Sequence, residues 1–138
     1  MVVALLAFAV SASACSCAPQ TPAESLGEAD GAVVGRLVKV LPHGPLHAVF
    51  RYEVSHAYKG DGLPAVGQML DVHSSLGGAA CGLPRRTGRS YGLFLVRRKG
   101  RWFGGICGVV APRRLRAAAA NQATTQRRSF GFGAAGCA

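Results

Sequence analysis

Two cysteines separated by one serine, Cys15 and Cys17, follow closely on a wholly apolar stretch at residues 2–10. The stretch is shorter than the roughly 20 apolar residues that a membrane-spanning helix needs. Followed by small residues up to Ala14, it is typical of a secretory signal peptide, although no Lys or Arg precedes it. We expect residues 1–14 to be cleaved off, so that a secreted chain without a transmembrane span begins at Cys15.

Export to an oxidising compartment favours disulfides for the five cysteines of the chain. Cys15 and Cys17 are too close to bridge comfortably to each other, and in an extended segment both side chains point the same way. Cys81, in a Gly-rich loop, and Cys107, in the last predicted strand, are natural partners. Because five is an odd number, two bridges leave one cysteine that is either unpaired or bonded to a second chain. Each crosslink would close a long loop and stabilise the fold by about 3–5 kcal/mol.

Three other roles for this cysteine motif are weaker. A zinc site needs four ligands, but Cys-x-Cys is tighter than the usual spacing and the four histidines are scattered, so we expect no metal site. A cysteine nucleophile needs a reduced thiol and a base, and export disfavours the thiol. Lipidation of Cys15 stays an alternative, although a bacterial lipoprotein signal usually has Leu where this chain has Ala12.

The middle of the chain is a series of short strands and turns. Valine-rich or alternating segments predict strands at 31–41, 47–60, 68–75, 90–98 and 101–110. In the second strand, Phe50, Tyr52, Val54, His56 and Tyr58 fall on one face. Gly35 marks a bulge or a close approach in the first strand.

These strands predict one small all-β domain at residues 15–111, a barrel or a sandwich. The loop at 19–30 has room for one helical turn. Beyond it, the alanine-rich 113–128 predicts a helix, so residues 112–138 form a basic C-terminal helix and a flexible tail.

Charge is unevenly distributed along the chain. Every Asp and Glu lies at or before Asp71, whereas Lys and Arg continue beyond it. Such a basic half can bind a polyanion, such as a glycosaminoglycan or an acidic cell-wall polymer. The candidate residues are Arg97, Arg98, Lys99 and Arg101. The alternative, which we favour for a secreted chain, is an Arg-rich composition that only keeps the protein soluble.

The common catalytic motifs are missing from the sequence. It holds no phosphate-binding G-x-x-x-x-G-K-[ST], no His-Glu-x-x-His and no G-x-S-x-G. The six acidic residues are dispersed, so no carboxylate pair is available for acid/base catalysis. We therefore expect a protein that is not an enzyme and that needs no cofactor.

Four motifs follow one another along residues 15–110. They are Cys-Ser-Cys-Ala-Pro from Cys15, a strand ending Tyr-Lys-Gly at Gly60, a Cys-Gly pair at Cys81 before a Gly-Arg-Ser-Tyr strand, and Cys107 near the end of the last strand. In this order and spacing they resemble the netrin-like domain family, with a layout similar to the tissue inhibitors of metalloproteinases and their bacterial homologues.

The resemblance implies a five-stranded OB-like barrel. It also implies two disulfides, Cys15–Cys81 and Cys17–Cys107. A third family bridge would need a cysteine near residues 24–30, and the chain has none there. Cys137 is then left over, and it could link two chains into a dimer.

In the inhibitors, the α-amino group and the carbonyl of the N-terminal cysteine chelate the catalytic zinc of the protease. By resemblance these groups belong to Cys15, and the Ser16 side chain points into the specificity pocket beyond the metal. The contact ridge would comprise Cys17, Ala18, Pro19, Ala80, Cys81 and Gly82. The implied partner is a zinc metalloprotease, but netrin-like domains also occur as binding modules for polyanions or cell-surface components, so both functions stay open.

Overall fold

The computed structural model describes residues 15–77 and 81–131. The predicted signal peptide at 1–14 and the predicted tail from residue 132 onward lie outside these residues. The elements in chain order are α1 (Pro22–Glu28), β1 (Gly31–His43), β2 (His47–Lys59), β3 (Met69–Ser75), β4 (Ser90–Arg98), β5 (Arg101–Phe103), β6 (Val109–Val110) and α2 (Pro112–Gly131). Ile106–Gly108 form a 3-10 turn before β6.

Five of the strands close into a barrel. β1 pairs with β2, β2 with β3, β3 with β5 and β5 with β4, and the first half of β1 pairs with β4 to complete the cycle. These pairings are antiparallel except that of β3 with β5. The short β6 pairs with β4 outside the cycle. The prediction of a small all-β barrel followed by a helix is confirmed.

The barrel interior is built from the alternating side chains of β2 and its neighbours. Phe50, Tyr52 and Val54 are buried, as the alternation predicted, but His56 is exposed and Tyr58 is only half-buried. The alternation fails there because the pairing of β2 with β1 shifts register twice beyond Val54, opposite Gly35 and again nearer the start of β1. Each shift leaves an extra residue on β2, which changes the face on which the following side chains lie. A side chain at Gly35 would begin only 3.0 Å from the Cβ of Tyr52, so the predicted close approach is confirmed.

A second, smaller core joins the two helices to the outside of the barrel. Leu26 of α1 and Leu115 of α2 are buried against Val34 and Phe94 of the barrel wall. Burial of a leucine stabilises a fold by about 1.5–3 kcal/mol, so both helices are anchored by such contacts. The chain between Cys17 and β1 is thereby held close to the start of α2.

The segment predicted as one strand at 101–110 is broken in two. β5 ends at Phe103, and the chain then crosses β4 so closely that a side chain at Gly108 would begin 2.6 Å from the carbonyl oxygen of Phe94. The glycines between the two short strands have no side chains to pack in a ladder, which weakens a continuous strand. The prediction of a single strand was wrong for this reason.

Both helices are longer than predicted. Thr21 and Glu24 form a reciprocal capping box that starts α1, which has seven residues rather than one turn. α2 continues to Gly131, so it includes three residues assigned to the loose tail. Across residues 15–77 and 81–131, no helix combines the length and the apolar character needed to cross a membrane.

Candidate functional site

Two disulfides tie the N-terminal segment, defined here as residues 15–20, to one end of the barrel. Cys15 is bonded to Cys81, with their Cα atoms 5.5 Å apart, and Cys17 is bonded to Cys107, with their Cα atoms 5.4 Å apart. The bridges span sequence separations of 66 and 90 residues, so they connect the segment to two distant loops. The pairing that the family resemblance implied is confirmed.

The two receiving loops are also tied to each other. The Ile106 amide donates a hydrogen bond to the Cys81 carbonyl over 2.9 Å, and Cys107 is the next residue along the chain. Cys81 has a φ of 58°, a left-handed conformation that costs a residue with a side chain roughly 1–2 kcal/mol. The disulfides therefore attach to a connected platform rather than to two independent loops.

The loop that carries Cys81 is packed tightly against the end of β3. A side chain at Gly82 would collide with the carbonyl group of Ser75, so only glycine fits there. The buried Ser74 hydroxyl accepts a hydrogen bond from the Leu83 amide over 3.2 Å. These contacts set the position of Cys81, and through the disulfide they set that of Cys15.

The N-terminal segment itself lies on the surface. Cys15 is half-buried, whereas every residue from Ser16 to Gln20 is exposed. The predicted contact ridge is in part assembled around it, because Cys81 and Gly82 lie half-buried at the Cys15 bridge. Ala80 and Cys137 lie outside the described residues. The N-terminal segment, residues 15–20, is thus a narrow stretch of chain held by two disulfides, with an exposed surface that another protein can contact. It is called the strip below.

The start of α1 fixes the far end of the strip. The Thr21 amide donates to the Glu24 carboxylate over 2.7 Å, and this bond, helped by the Thr21 hydroxyl, holds the pKa of Glu24 below its usual value. Gln20 donates to Glu28 over 2.8 Å. Lys59 of β2 caps the other end of the helix by donating to the carbonyls of Leu26 and Gly27. Residue 20 is thus joined to a short helix that is itself anchored on the barrel.

Two grooves flank the strip. The β4 groove, of about 490 Å³, has an apolar floor and carries both Arg98 and Glu28. The α2 groove, of about 480 Å³, lies on the side of the first turn of α2 and carries Arg114. Gln20, Ser25 and Cys107 line both grooves and form the wall between them.

The four predicted polyanion-binding residues are neighbours in the β4–β5 hairpin, but they do not form one surface. Arg97 lies opposite Trp102, with its guanidinium carbon 5.3 Å from the ring centre, and it donates to the Asp61 carbonyl over 2.8 Å. Arg98 lies opposite Arg101 on the other face of the hairpin, and Lys99 is in the turn. All four side chains are exposed, but Arg97 is engaged by contacts within the fold, whereas the other three take part in none of the side-chain hydrogen bonds found among the described residues.

Sequence reasoning missed the residues that shape the grooves. Ile106 and Arg114 lie about ninety residues after Cys17 in the chain, and they meet the strip only because of the Cys17–Cys107 bridge and the docking of α2. No local pattern indicates such a meeting. The capping box at Thr21 was readable as Thr-x-x-Glu, and it would have predicted α1.

Comparisons with known proteins assign no family to the chain: no family model matches it, and no curated protein matches it either. Within residues 15–77 and 81–131 there is no cluster of three or more His, Cys, Asp or Glu side chains that could hold a metal ion. Inferences about function therefore start from the exposed strip and its two grooves.

Proposed function

We propose that the mature protein is a secreted, netrin-like inhibitor of a zinc metalloprotease, acting through the α-amino group that signal-peptide cleavage would create at Cys15. The observation that supports it is the segment Cys15-Ser16-Cys17, in which Cys15 is half-buried and Ser16 and Cys17 are exposed, bonded through both cysteines to the two connected loops. The resemblance of the four sequence motifs to the tissue inhibitors of metalloproteinases points to the same mechanism.

The chemistry needs only backbone groups of Cys15. An α-amino group has a pKa of about 8, so a substantial neutral fraction exists near neutral pH and can donate its lone pair to zinc. The carbonyl oxygen of the same residue closes a chelate ring on the metal. A catalytic zinc site has three protein ligands and an open position for water or substrate, and it can expand to five-coordinate. The two donor atoms of Cys15 would displace the water and bring the metal to five ligands.

The residues after Cys15 supply recognition. Ser16 is exposed and lies between the two bridged cysteines, so its side chain would enter the specificity pocket beyond the metal. Cys17, Ala18 and Pro19 would run along the substrate cleft. Because the disulfides hold this strip before binding, the ordering cost of about 0.5–1.5 kcal/mol for each immobilised side chain is reduced.

Mass spectrometry of the exported protein tests the first requirement. The proposal predicts a chain that begins at Cys15 with an unmodified α-amine and both disulfides intact. A lipid on Cys15, or any residue ahead of it, would exclude the mechanism. The same purified protein should then inhibit at least one member of a panel of zinc endopeptidases, in a 1:1 complex, and it should leave serine proteases unaffected.

A polyanion-binding module is the second candidate, favoured by the three solvent-available cations of the β4–β5 hairpin, Arg98, Lys99 and Arg101. When these cations bind phosphate, sulfate or carboxylate groups of a polymer, the polymer would release its condensed counterions, so binding would weaken steeply with salt. Arg97 contributes less, because its guanidinium already contacts the Asp61 carbonyl and Trp102.

Heparin chromatography tests this second candidate. If the module binds polyanions through the hairpin, exchanging Arg98, Lys99 and Arg101 for Gln should lower the salt concentration of elution much more than Arg97→Gln alone. An equal loss from exchanging three helix cations, Arg113, Arg116 and Arg127, would indicate diffuse charge instead. No retention of the wild type would exclude this candidate.

A further inference from the structure

The α2 groove has features that the zinc-chelating strip does not explain. Its aliphatic walls come from Ala18, Pro19, Pro22, Ile106, Val109 and Val110. Ile106 is 37% exposed, so its side chain is accessible from the groove. A volume of about 480 Å³ lies within the range of small-molecule and peptide sites.

Among the described residues, Arg114 is the only ionisable side chain that lines this groove, and none of the lining residues is Asp or Glu. It takes part in neither of the two ion pairs found among the described residues. It also lies in the first turn of α2, which contains no acidic residue, and there the positive end of the helix dipole disfavours a cation. Its charge therefore adds nothing to the stability of its own helix.

The other polar groups of the groove already have partners. The Ser25 hydroxyl donates to the Gln20 side-chain oxygen over 3.4 Å, and the Gln20 amide nitrogen donates to Glu28 over 2.8 Å. The groove thus combines aliphatic walls with one cation. The β4 groove differs, because Glu28 stands in it together with Arg98 and would repel an anion.

We propose that the α2 groove binds the C-terminus of a partner polypeptide whose last side chain is aliphatic. In a C-terminal residue the carboxylate and the side chain leave the same Cα, so one residue can meet both features of the groove. The side chain would pack between Pro19, Ile106 and Val110, and the carboxylate would take two parallel hydrogen bonds from the Arg114 guanidinium. Neither Cys15 nor Ser16 lines the groove, so this binding needs no zinc. Cys17, Ala18 and Pro19 do line it, so a bound protease would compete with the peptide for these three residues.

Titration of the ¹⁵N-labelled protein with two short peptides tests the proposal. The probes are acetyl-Gly-Ala-Gly-Leu with a C-terminal carboxylate and the same peptide with a C-terminal amide. We expect the carboxylate peptide to bind at least tenfold more tightly and to shift the amide signals of Ile106, Val109 and Val110. Equal binding of the two peptides, or shifts confined to the β4 groove, would overturn the proposal.

Matched variants of neighbouring arginines identify the cation. Arg114→Gln should remove the preference for the carboxylate peptide, whereas Arg113→Gln, which changes the charge equally but does not line the groove, should keep it. Ile106→Ser should weaken both peptides. Equal losses from the two arginine variants, or the same shifts with a heparin fragment, would indicate a general basic surface and contradict the proposal. Unchanged melting temperatures of these exposed-site variants confirm that each protein is folded.

Discussion

The barrel and the N-terminal segment are neighbours, but different forces hold them in place. Phe50, Tyr52 and Leu95 are completely buried, so the barrel rests on apolar burial and on its backbone ladders. The strip from Ser16 to Gln20 buries none of its residues and is fixed by two disulfides and the helix that follows. The comparison shows two ways in which a chain can be held in place: apolar burial holds the barrel, and disulfides to distant loops hold an exposed segment.

The largest effect on either region should come from the barrel interior. Phe50→Ala removes a fully buried ring and should lower the free energy of unfolding by about 3–5 kcal/mol, measured by denaturant titration. The strip should lose its order in the same transition, because its anchor loops belong to the barrel. Val66→Ala, at a side chain that is 67% exposed, is the control and should change stability by less than about 0.5 kcal/mol. A comparable loss in both variants would contradict this description of the core.

Removing one bridge should separate the two regions. Exchanging Cys17 and Cys107 together for Ser should cost about 3–5 kcal/mol of stability, because this crosslink closes a long loop. The backbone order parameters of Ser16 and Ala18 should fall below about 0.6, while those of β1 and β2 stay near the rigid value of about 0.85. Unchanged order parameters in the strip would show that the Cys17–Cys107 bridge is not needed to order it, so that the Cys15–Cys81 bridge and α1 are sufficient.

The platform beneath the strip can be tested with two glycines. Gly82→Ala should cost roughly 1–3 kcal/mol and displace the Cys81 loop, because the new methyl group meets the backbone carbonyl of Ser75. Gly27→Ala is the matched control: nothing lies within 4 Å of its added methyl group, and alanine favours the helix by up to about 1 kcal/mol. If both variants have the stability of the wild type, the close packing of the Cys81 loop is refuted.

The smallest effect concerns a hydroxyl group inside the barrel. Within the described residues, the buried Tyr52 hydroxyl has no hydrogen-bond partner, so Tyr52→Phe should leave stability unchanged or raise it by up to about 1 kcal/mol. Burial also raises the pKa of Tyr52 above its usual value of 10.0. Above pH 10 the unfolded chain loses this proton while the folded chain keeps it, so wild-type stability should fall as the pH rises.

Unfolding experiments between pH 8 and pH 11 check both effects. The Tyr52→Phe variant should lack the part of the alkaline decrease that Tyr52 causes, and its strip should behave as in the wild type. A variant that is clearly less stable at pH 8 would show that the hydroxyl has a stabilising partner.

The sequence was more informative about the barrel and the bridges than about the surface around the strip. The alternation around Tyr52 and the position of the Cys15-Ser16-Cys17 motif reflect local chemistry, and they predicted the fold class and, through the family resemblance, the disulfides. The break at Gly108 depends on how closely two strands cross. Arg114 and Pro19 line the same groove because of how α2 docks on the barrel. Such long-range proximity has no local sequence signal.

The proposed inhibitor depends above all on the α-amino group of Cys15, which would bind the zinc of the protease. The most direct test compares two proteins against a zinc endopeptidase that the mature protein inhibits, one beginning at Cys15 and the other carrying a single additional alanine before it. Both should keep the two disulfides and the barrel, since the extra residue leaves Cys81 and Cys107 untouched. If the α-amino group of Cys15 chelates the zinc, the inhibition constant of the extended protein should be at least 100-fold weaker. Equal inhibition by the two proteins would contradict this role of the α-amino group.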